Sequence, residues 1–253
     1  MRPVDAAADQ QDPDDEGPGC LSRSSTAKES EARMWLYVVN HKLGPLLGAY
    51  WRLELAGEMA SIPREGPLLV CANHASRLDP WFIGMCFPRP IRYLITDAWY
   101  YRSSVWKWFF DAWGTIPVAR SPHATLEAVH RHLEKGDVVG VFPEGEVSRD
   151  GRIQRFRPGT ARIAARSGAP VIPIGLRGNA ESLPRHGAFP RPTKVTVHVG
   201  EPIRFDGSPR DGVPPREEVE AFNARLRESI VRLSRRPDAL RDEPPFPAGG
   251  GRA

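Results

Sequence analysis

Lysine is scarce in this chain of 253 residues: it stands only at positions 28, 42, 107, 135 and 194, so arginine supplies 30 of the 35 basic side chains. A nucleic-acid binder usually gathers its basic charge into a stripe. Here arginine is spread along the chain, with one denser patch between Arg149 and Arg166 and a net charge of only +4. That distribution argues against nucleic acid and favours an anionic small substrate or an anionic membrane surface. Cysteine is equally sparse. Cys20, Cys71 and Cys86 form no pair at metal-ligand spacing and are an awkward number for a disulfide framework, which favours a reducing, cytoplasmic compartment.

A bilayer-crossing segment is missing as well. The longest candidate, residues 34–55, is interrupted by His41, Lys42, Pro45 and Arg52, well short of the ~20 apolar residues a crossing needs. It is still apolar and aromatic, and two readings stand: one or two short helices lying on a membrane, or helices covering the core of the domain. Residues 1–33 carry Asp5, Asp9, Asp12, Asp14, Asp15 and Glu16 and lack the basic start and apolar core of a signal peptide. They read as a disordered tail, as does the Pro- and Gly-rich segment 236–253. No G-x-S-x-G occurs and no cysteine lies in a nucleophile elbow, so a covalent enzyme intermediate is not indicated.

What is present, from about residue 60, is alternation. Strand-length apolar runs occur at Pro67–Ala72, Ile91–Ile95, Val138–Phe142, Val171–Gly175 and Val195–Val199, separated by helical stretches from Trp81 onward, at Trp99–Trp113, Thr125–Lys135 and Thr160–Ser167. Such alternation predicts a single α/β domain, a mainly parallel central sheet flanked by helices, over residues 58–235. Residues 34–57 precede it as membrane-interface helices. The helix Pro215–Arg235 closes the domain, with Val219, Phe222, Leu226, Ile230 and Leu233 marking one apolar face.

In open α/β sheets, function gathers at the carboxyl ends of strands. Two segments fall there: NHASRLDP (73–80), after the run ending at Ala72, and PEGEVSRDG (143–151), after the run ending at Phe142. Neutral imidazole at His74 can accept a proton near pH 7, best when its other ring nitrogen donates to a carboxylate. Asp79 meets that need only if the loop curls back, and Asp79-Pro80 also reads simply as the start of a helix. If His74 is a base, the group it deprotonates belongs to a substrate. Glu144 can hold a hydroxyl or a basic side chain, and Gly145 admits a ligand close to the backbone. In Gly114-Thr-Ile-Pro-Val-Ala-Arg120, the arginine suits an anion.

In order and spacing, NHASRLD, GTIPVAR, FPEG and VIPIGL (171–176) resemble the four motif blocks of the glycerolipid acyltransferase family, whose best-known branch acylates 1-acylglycerol-3-phosphate. The resemblance covers roughly residues 60–205. It implies that His74 is the general base on an acceptor hydroxyl, which attacks the thioester of acyl-CoA or acyl carrier protein, while Asp79 orients and supports the imidazolium. Gly114, Arg120, Glu144 and Gly145 would hold the glycerophosphate part of the acceptor, and Pro173 would pack behind the site. The family uses no metal or bound cofactor; its partners are lyso-glycerolipid, acyl thioester and a membrane surface, which implies a peripheral place on the cytoplasmic face of the cell membrane. Two positions depart from the pattern. The third block usually continues Glu-Gly-Thr-Arg-Ser where this chain has Glu144-Gly145-Glu146-Val147-Ser148, and a lysine usually follows the strand after the histidine block, where Asp97 stands. Both losses remove a cation suited to a phosphate monoester, with Arg149 and Arg157 as candidate anion-binding replacements. The aromatic run 99–113 supplies Trp and Tyr beside Arg102 and Lys107, a composition that suits a headgroup interface. Rival readings are a non-catalytic lipid-binding module of the same fold and a hydrolase in which the base activates water.

Overall fold

A computed structural model describes residues 34–119, 121–183, 189–207 and 213–236. The tail expected at 1–33 and all but the first residue of the one expected at 236–253 lie outside the described residues. Among the described residues seven strands form one sheet: β1 (Glu54–Gly57), β2 (Leu68–Ala72), β3 (Ile91–Thr96), β4 (Ile116–Val118), β5 (Val138–Val141), β6 (Val171–Arg177) and β7 (Thr196–Val199), in the spatial order 1-7-6-2-5-3-4. Strands β6, β2, β5, β3 and β4 run parallel; β7 is antiparallel to β6, and β1 pairs parallel with β7. The central strand β2, Leu-Leu-Val-Cys-Ala, is buried along its whole length. That burial is why it reads as an unbroken apolar run rather than an alternating one.

Successive side chains of β2 point to opposite faces of the sheet and so into two cores. Leu68, Val70 and Ala72 meet Tyr37, Phe82 and Ile83 from helices α1 (Trp35–Tyr50) and α2 (Asp79–Cys86). Leu69 and Cys71 meet the other layer, built by α5 (Pro122–Glu134), α6 (Gly159–Ser167) and α8 (Arg216–Ser234). On α8, Val219, Phe222, Leu226 and Ile230 are buried, as the periodicity predicts. The short helix α3 (Asp97–Tyr100) is separated from α4 (Ser104–Trp113) by Ser103, whose hydroxyl accepts the Trp106 N–H and caps the second helix. One helix was expected across this stretch. Helix α7 (Asn179–Ser182) follows β6.

Two expectations need correction. Residues 54–57, assigned to the interfacial helices, form the edge strand β1, because helix α1 ends at Tyr50 and the chain turns through Arg52 at a positive φ of 43°. The first residue of the expected tail, Arg236, is hydrogen-bonded to the body of the domain. Helix α1 covers the core with one face and leaves apolar side chains exposed on the other. Tyr37, Asn40, Gly44 and Gly48 face inward, while Trp35, Val39, Leu43, Leu46 and Tyr50 form an exposed row three and four residues apart, Leu46 being 73% exposed. Trp35 touches Trp108 of α4, with ring centroids 5.9 Å apart. Val105, Trp106 and Trp108, the last 57% exposed, extend that apolar surface. Among the described residues no helix is long and apolar enough to cross a membrane.

Candidate active site

The site begins where β2 stops. Asn73, one residue past the strand, continues the ladder with its side chain: its amide donates to Leu176 O at 3.2 Å and its carbonyl oxygen accepts the Leu176 N–H at 2.7 Å. The β6 backbone is thereby satisfied while the main chain of residue 74 is free to turn away. That main chain is held from the other loop. The His74 N–H donates to Glu144 Oε1 at 2.9 Å, and the His74 carbonyl accepts the Ser148 N–H at 2.7 Å.

The loop does curl back. His74 Nδ1 lies 2.9 Å from Asp79 Oδ2, and the same oxygen accepts the backbone N–H of Ala75 at 2.8 Å and of Ser76 at 2.9 Å. Asp79 is the first residue of α2 and is fully buried; the N-cap position, Leu78, makes no side-chain bond, so the carboxylate serves the preceding loop rather than capping its own helix. Its other partner, the Asn179 amide, is also a donor. A carboxylate surrounded only by donors requires Nδ1 to carry its hydrogen, which leaves Nε2 as a bare acceptor. The ring is fixed on its flat side by Phe142, stacked at 3.9 Å between centroids and 15° between planes. The His74 side chain keeps 16% of its surface exposed, and no partner for Nε2 is found among the described residues. The arrangement is a fixed imidazole with one open nitrogen.

Glu144 works differently from its expected role. It is buried, Oε1 holds the His74 N–H, and Oε2 accepts the Gln154 N–H at 2.9 Å. Burial pushes its carboxyl above the ordinary range, opposed by those two backbone bonds. It fastens one loop to the other. Gly145 adopts a φ of +81°, and a Cβ there would collide with the Arg157 side chain. The glycine therefore lets an exposed arginine lie across the third-block loop. Arg149 sits in an exposed pair with Glu146 at 3.6 Å. Asp97 starts α3 at the carboxyl end of β3.

Gly114 is not brought to this site. It caps α4 at a φ of +73°, and its carbonyl accepts from Arg92 Nη1 at 3.2 Å, two residues before Ile116, which pairs with Leu94. That register puts it level with Arg92 and, through Val139, with Leu69, five residues before His74 and so about 16 Å back along the sheet at ~3.3 Å per residue. Sequence order gave no means of seeing that the second block starts at the amino-terminal end of its strand and reaches the carboxyl end only at its far side. Arg120, the last residue of the block, lies outside the described residues. The sequence reading missed Asn73, Phe142, Asn179 and Arg236 as contributors. Asn73 and Phe142 lie inside or beside recognised blocks; Asn179 could have been found by applying the strand-end rule to β6. Among the described residues, no three His, Cys, Asp or Glu side chains converge as metal ligands would.

Residues 56–177 match the family model described as Acyltransferase. The chain is 29% identical over 140 residues to a chloroplast 1-acyl-sn-glycerol-3-phosphate acyltransferase of Brassica napus, covering 53% of this chain and 40% of that one. It is 32% identical over 145 residues to the 1-acyl-sn-glycerol-3-phosphate acyltransferase of Limnanthes douglasii, covering 53% and 50%. This chain thus spans half or less of the length of these relatives. The solved 1-acyl-sn-glycerophosphate acyltransferase PlsC of Thermotoga maritima superposes with a TM-score of 0.62 over 85% of this chain and 88% of its own, at 21% identity, a likeness of fold. The histidine loop, the Glu144 loop and strand β6 all lie inside residues 56–177, the stretch over which this chain is similar to the acyltransferase family.

Proposed function

We propose that this protein transfers a fatty acyl group from a thioester, acyl-CoA or acyl carrier protein, to the free hydroxyl of a lyso-glycerolipid, with 1-acylglycerol-3-phosphate as first-choice acceptor and phosphatidic acid as product. One observation carries the reading: an imidazole with Nδ1 committed to a buried carboxylate at 2.9 Å and Nε2 open. Nε2 takes the acceptor's hydroxyl proton as that oxygen attacks the thioester carbonyl. The C–O bond forms, the C–S bond breaks, and the proton on Nε2 passes to the departing thiolate. Asp79 stabilises the imidazolium between the two transfers. Arg157, across Gly145, is the described cation best suited to the acceptor's phosphate, with Arg120 as the second-block candidate. Metal and cofactor have no part in this scheme.

A second acceptor class has a specific observation in its favour: Asp97 and Val147 occupy positions where the family usually supplies cations, so a lysophospholipid with a capped phosphate remains a rival substrate. The exposed apolar row on α1, continued by Val105 and Trp108 of α4, supports peripheral docking on the cytoplasmic face of the membrane, where lyso-lipid resides. Mass spectrometry of products from a mixed lyso-lipid pool with acyl-CoA tests the proposal. Phosphatidic acid as the dominant product is expected; dominance of another diacyl lipid would move the acceptor class. Thioester loss without any acylated lipid would make the protein a hydrolase.

A further inference from the structure

The two oxygens of Asp79 carry different loads. Oδ2 has three donors, His74 Nδ1 and the Ala75 and Ser76 N–H groups, whereas Oδ1 has one among the described residues: Asn179 Nδ2, at 2.7 Å. Asn179 is fully buried at the start of α7, one hundred residues along the chain. An amide turned over would present its oxygen to the carboxylate, and packing alone barely distinguishes the two orientations. Arg236 distinguishes them. Its Nη2 donates to Asn179 Oδ1 at 2.9 Å, while Nη1 donates to Gly151 O at 2.8 Å. A guanidinium has donors only, so the Asn179 oxygen must face Arg236 and its NH₂ must face Asp79. A line of hydrogen bonds therefore runs from imidazole to carboxylate to amide to guanidinium. It ends just past α8 and branches into the loop that follows Glu144.

We propose that Asn179 and Arg236 are positioning residues for acyl transfer: Arg236 sets the sense of the Asn179 amide, and Asn179 holds Oδ1 so that the carboxylate keeps Oδ2 on His74 Nδ1–H. Neither residue lies in the four motif blocks. The inference rests on the reading of His74 as the base. Without Asn179 the carboxylate is held from one side only and can swing about its last torsion. The ring then exchanges between tautomers, and the fraction with a bare Nε2 falls.

The test uses the full-length chain and two readouts. Imidazole ¹⁵N spectra, with the His74 signals identified by their loss in H74A, report the tautomer directly. Wild type is expected to be almost wholly Nδ1–H, and N179A a mixture. Steady-state transfer is expected to lose on the order of ten- to a hundredfold in kcat with KM for both substrates little changed, by analogy with the loss when an outer partner of a metal-ligating histidine is removed. R236M should lose less than N179A, R236K less again, and the double variant N179A/R236M should be no worse than N179A alone, because Arg236 acts through the amide. Should N179A fail to fold, N179S, which keeps a short donor, and R236M carry the same measurements. A wild-type tautomer and kcat in N179A overturns the proposal, and additive losses in the double variant overturn the coupling. Full activity in H74A would instead remove the base assignment, while the tautomer ratios would still report whether Asn179 holds the ring.

Discussion

Replacing Asp79 by Asn isolates the electrostatic part of the site, because shape and volume are retained. The asparagine oxygen is expected to take the place of Oδ2, where it keeps the His74, Ala75 and Ser76 donors. The opposite orientation would leave two backbone N–H groups facing an NH₂. Nδ1–H therefore survives, but the negative charge is gone, and the new NH₂ confronts that of Asn179, which Arg236 prevents from turning over. The charges of an imidazolium and this carboxylate would be about 4 Å apart in a site that is buried on one side only, which at an effective dielectric of ~20 gives about 4 kcal/mol of attraction. If the transition state carries most of the imidazolium charge, losing that attraction slows kcat by roughly three orders of magnitude. The unsatisfied amide adds about 1–3 kcal/mol of lost stability. Thiol release from acyl-CoA, followed against both substrates from pH 6 to 9, measures the first effect, and thermal unfolding measures the second. A folded D79N protein with kcat within tenfold of wild type would refute the idea that the carboxylate supports a charged ring.

Glu144→Gln tests the loop fastening. One of its two backbone donors then meets an NH₂, so kcat should fall with the fold intact. Because the folded Glu144 carboxyl titrates above the unfolded value of 4.5, wild type binds that proton more tightly when folded, and the stability it gains is lost as pH rises from 4.5 through the raised value. The stability of E144Q relative to wild type should accordingly improve over that window in denaturant titrations; a flat difference would contradict the shift. For membrane docking, Leu46→Glu and Trp108→Glu alter side chains 73% and 57% exposed, so folding should be nearly unchanged. Each substitution should still lower co-sedimentation with anionic vesicles by roughly tenfold or more, given about 1.5–3 kcal/mol for burying such a side chain. Unchanged sedimentation of the pair would clear this face of any role. Deletion up to residue 56 is a poorer experiment, since it removes most of β1 from the sheet.

The central strands β2, β5 and β6 were readable because a strand buried on both faces must be apolar almost throughout, whereas β3 carries Arg92 within its apolar run and β7, Thr-Val-His-Val, alternates buried and half-buried residues. Strands β1 and β4, of four and three residues at the two edges, were not readable: one contains Gly57 and the other Pro117, and neither has enough length to show a period. The meeting of His74 and Asp79 followed from motif order, since five residues of straight chain would have kept them apart. What sequence could not convey was which group a side chain answers to. Glu144 looked like a ligand for substrate, yet it answers to two backbone N–H groups that no residue code records. Asn179 and Arg236 belong to the site through partners 100 and 57 residues away, a relation set by the tertiary fold alone.

Clamping residue 74 by its own peptide groups ties chemistry to the breathing of a single segment. As long as the Glu144 oxygen covers it, the amide hydrogen of residue 74 should be among the slowest to exchange with deuterated water in that half of the sheet. If the stretch between residues 144 and 154 lifts, that hydrogen becomes labile at the moment the imidazole loses its footing. One exchange rate would then count how often the site comes apart while the rest of the molecule remains folded.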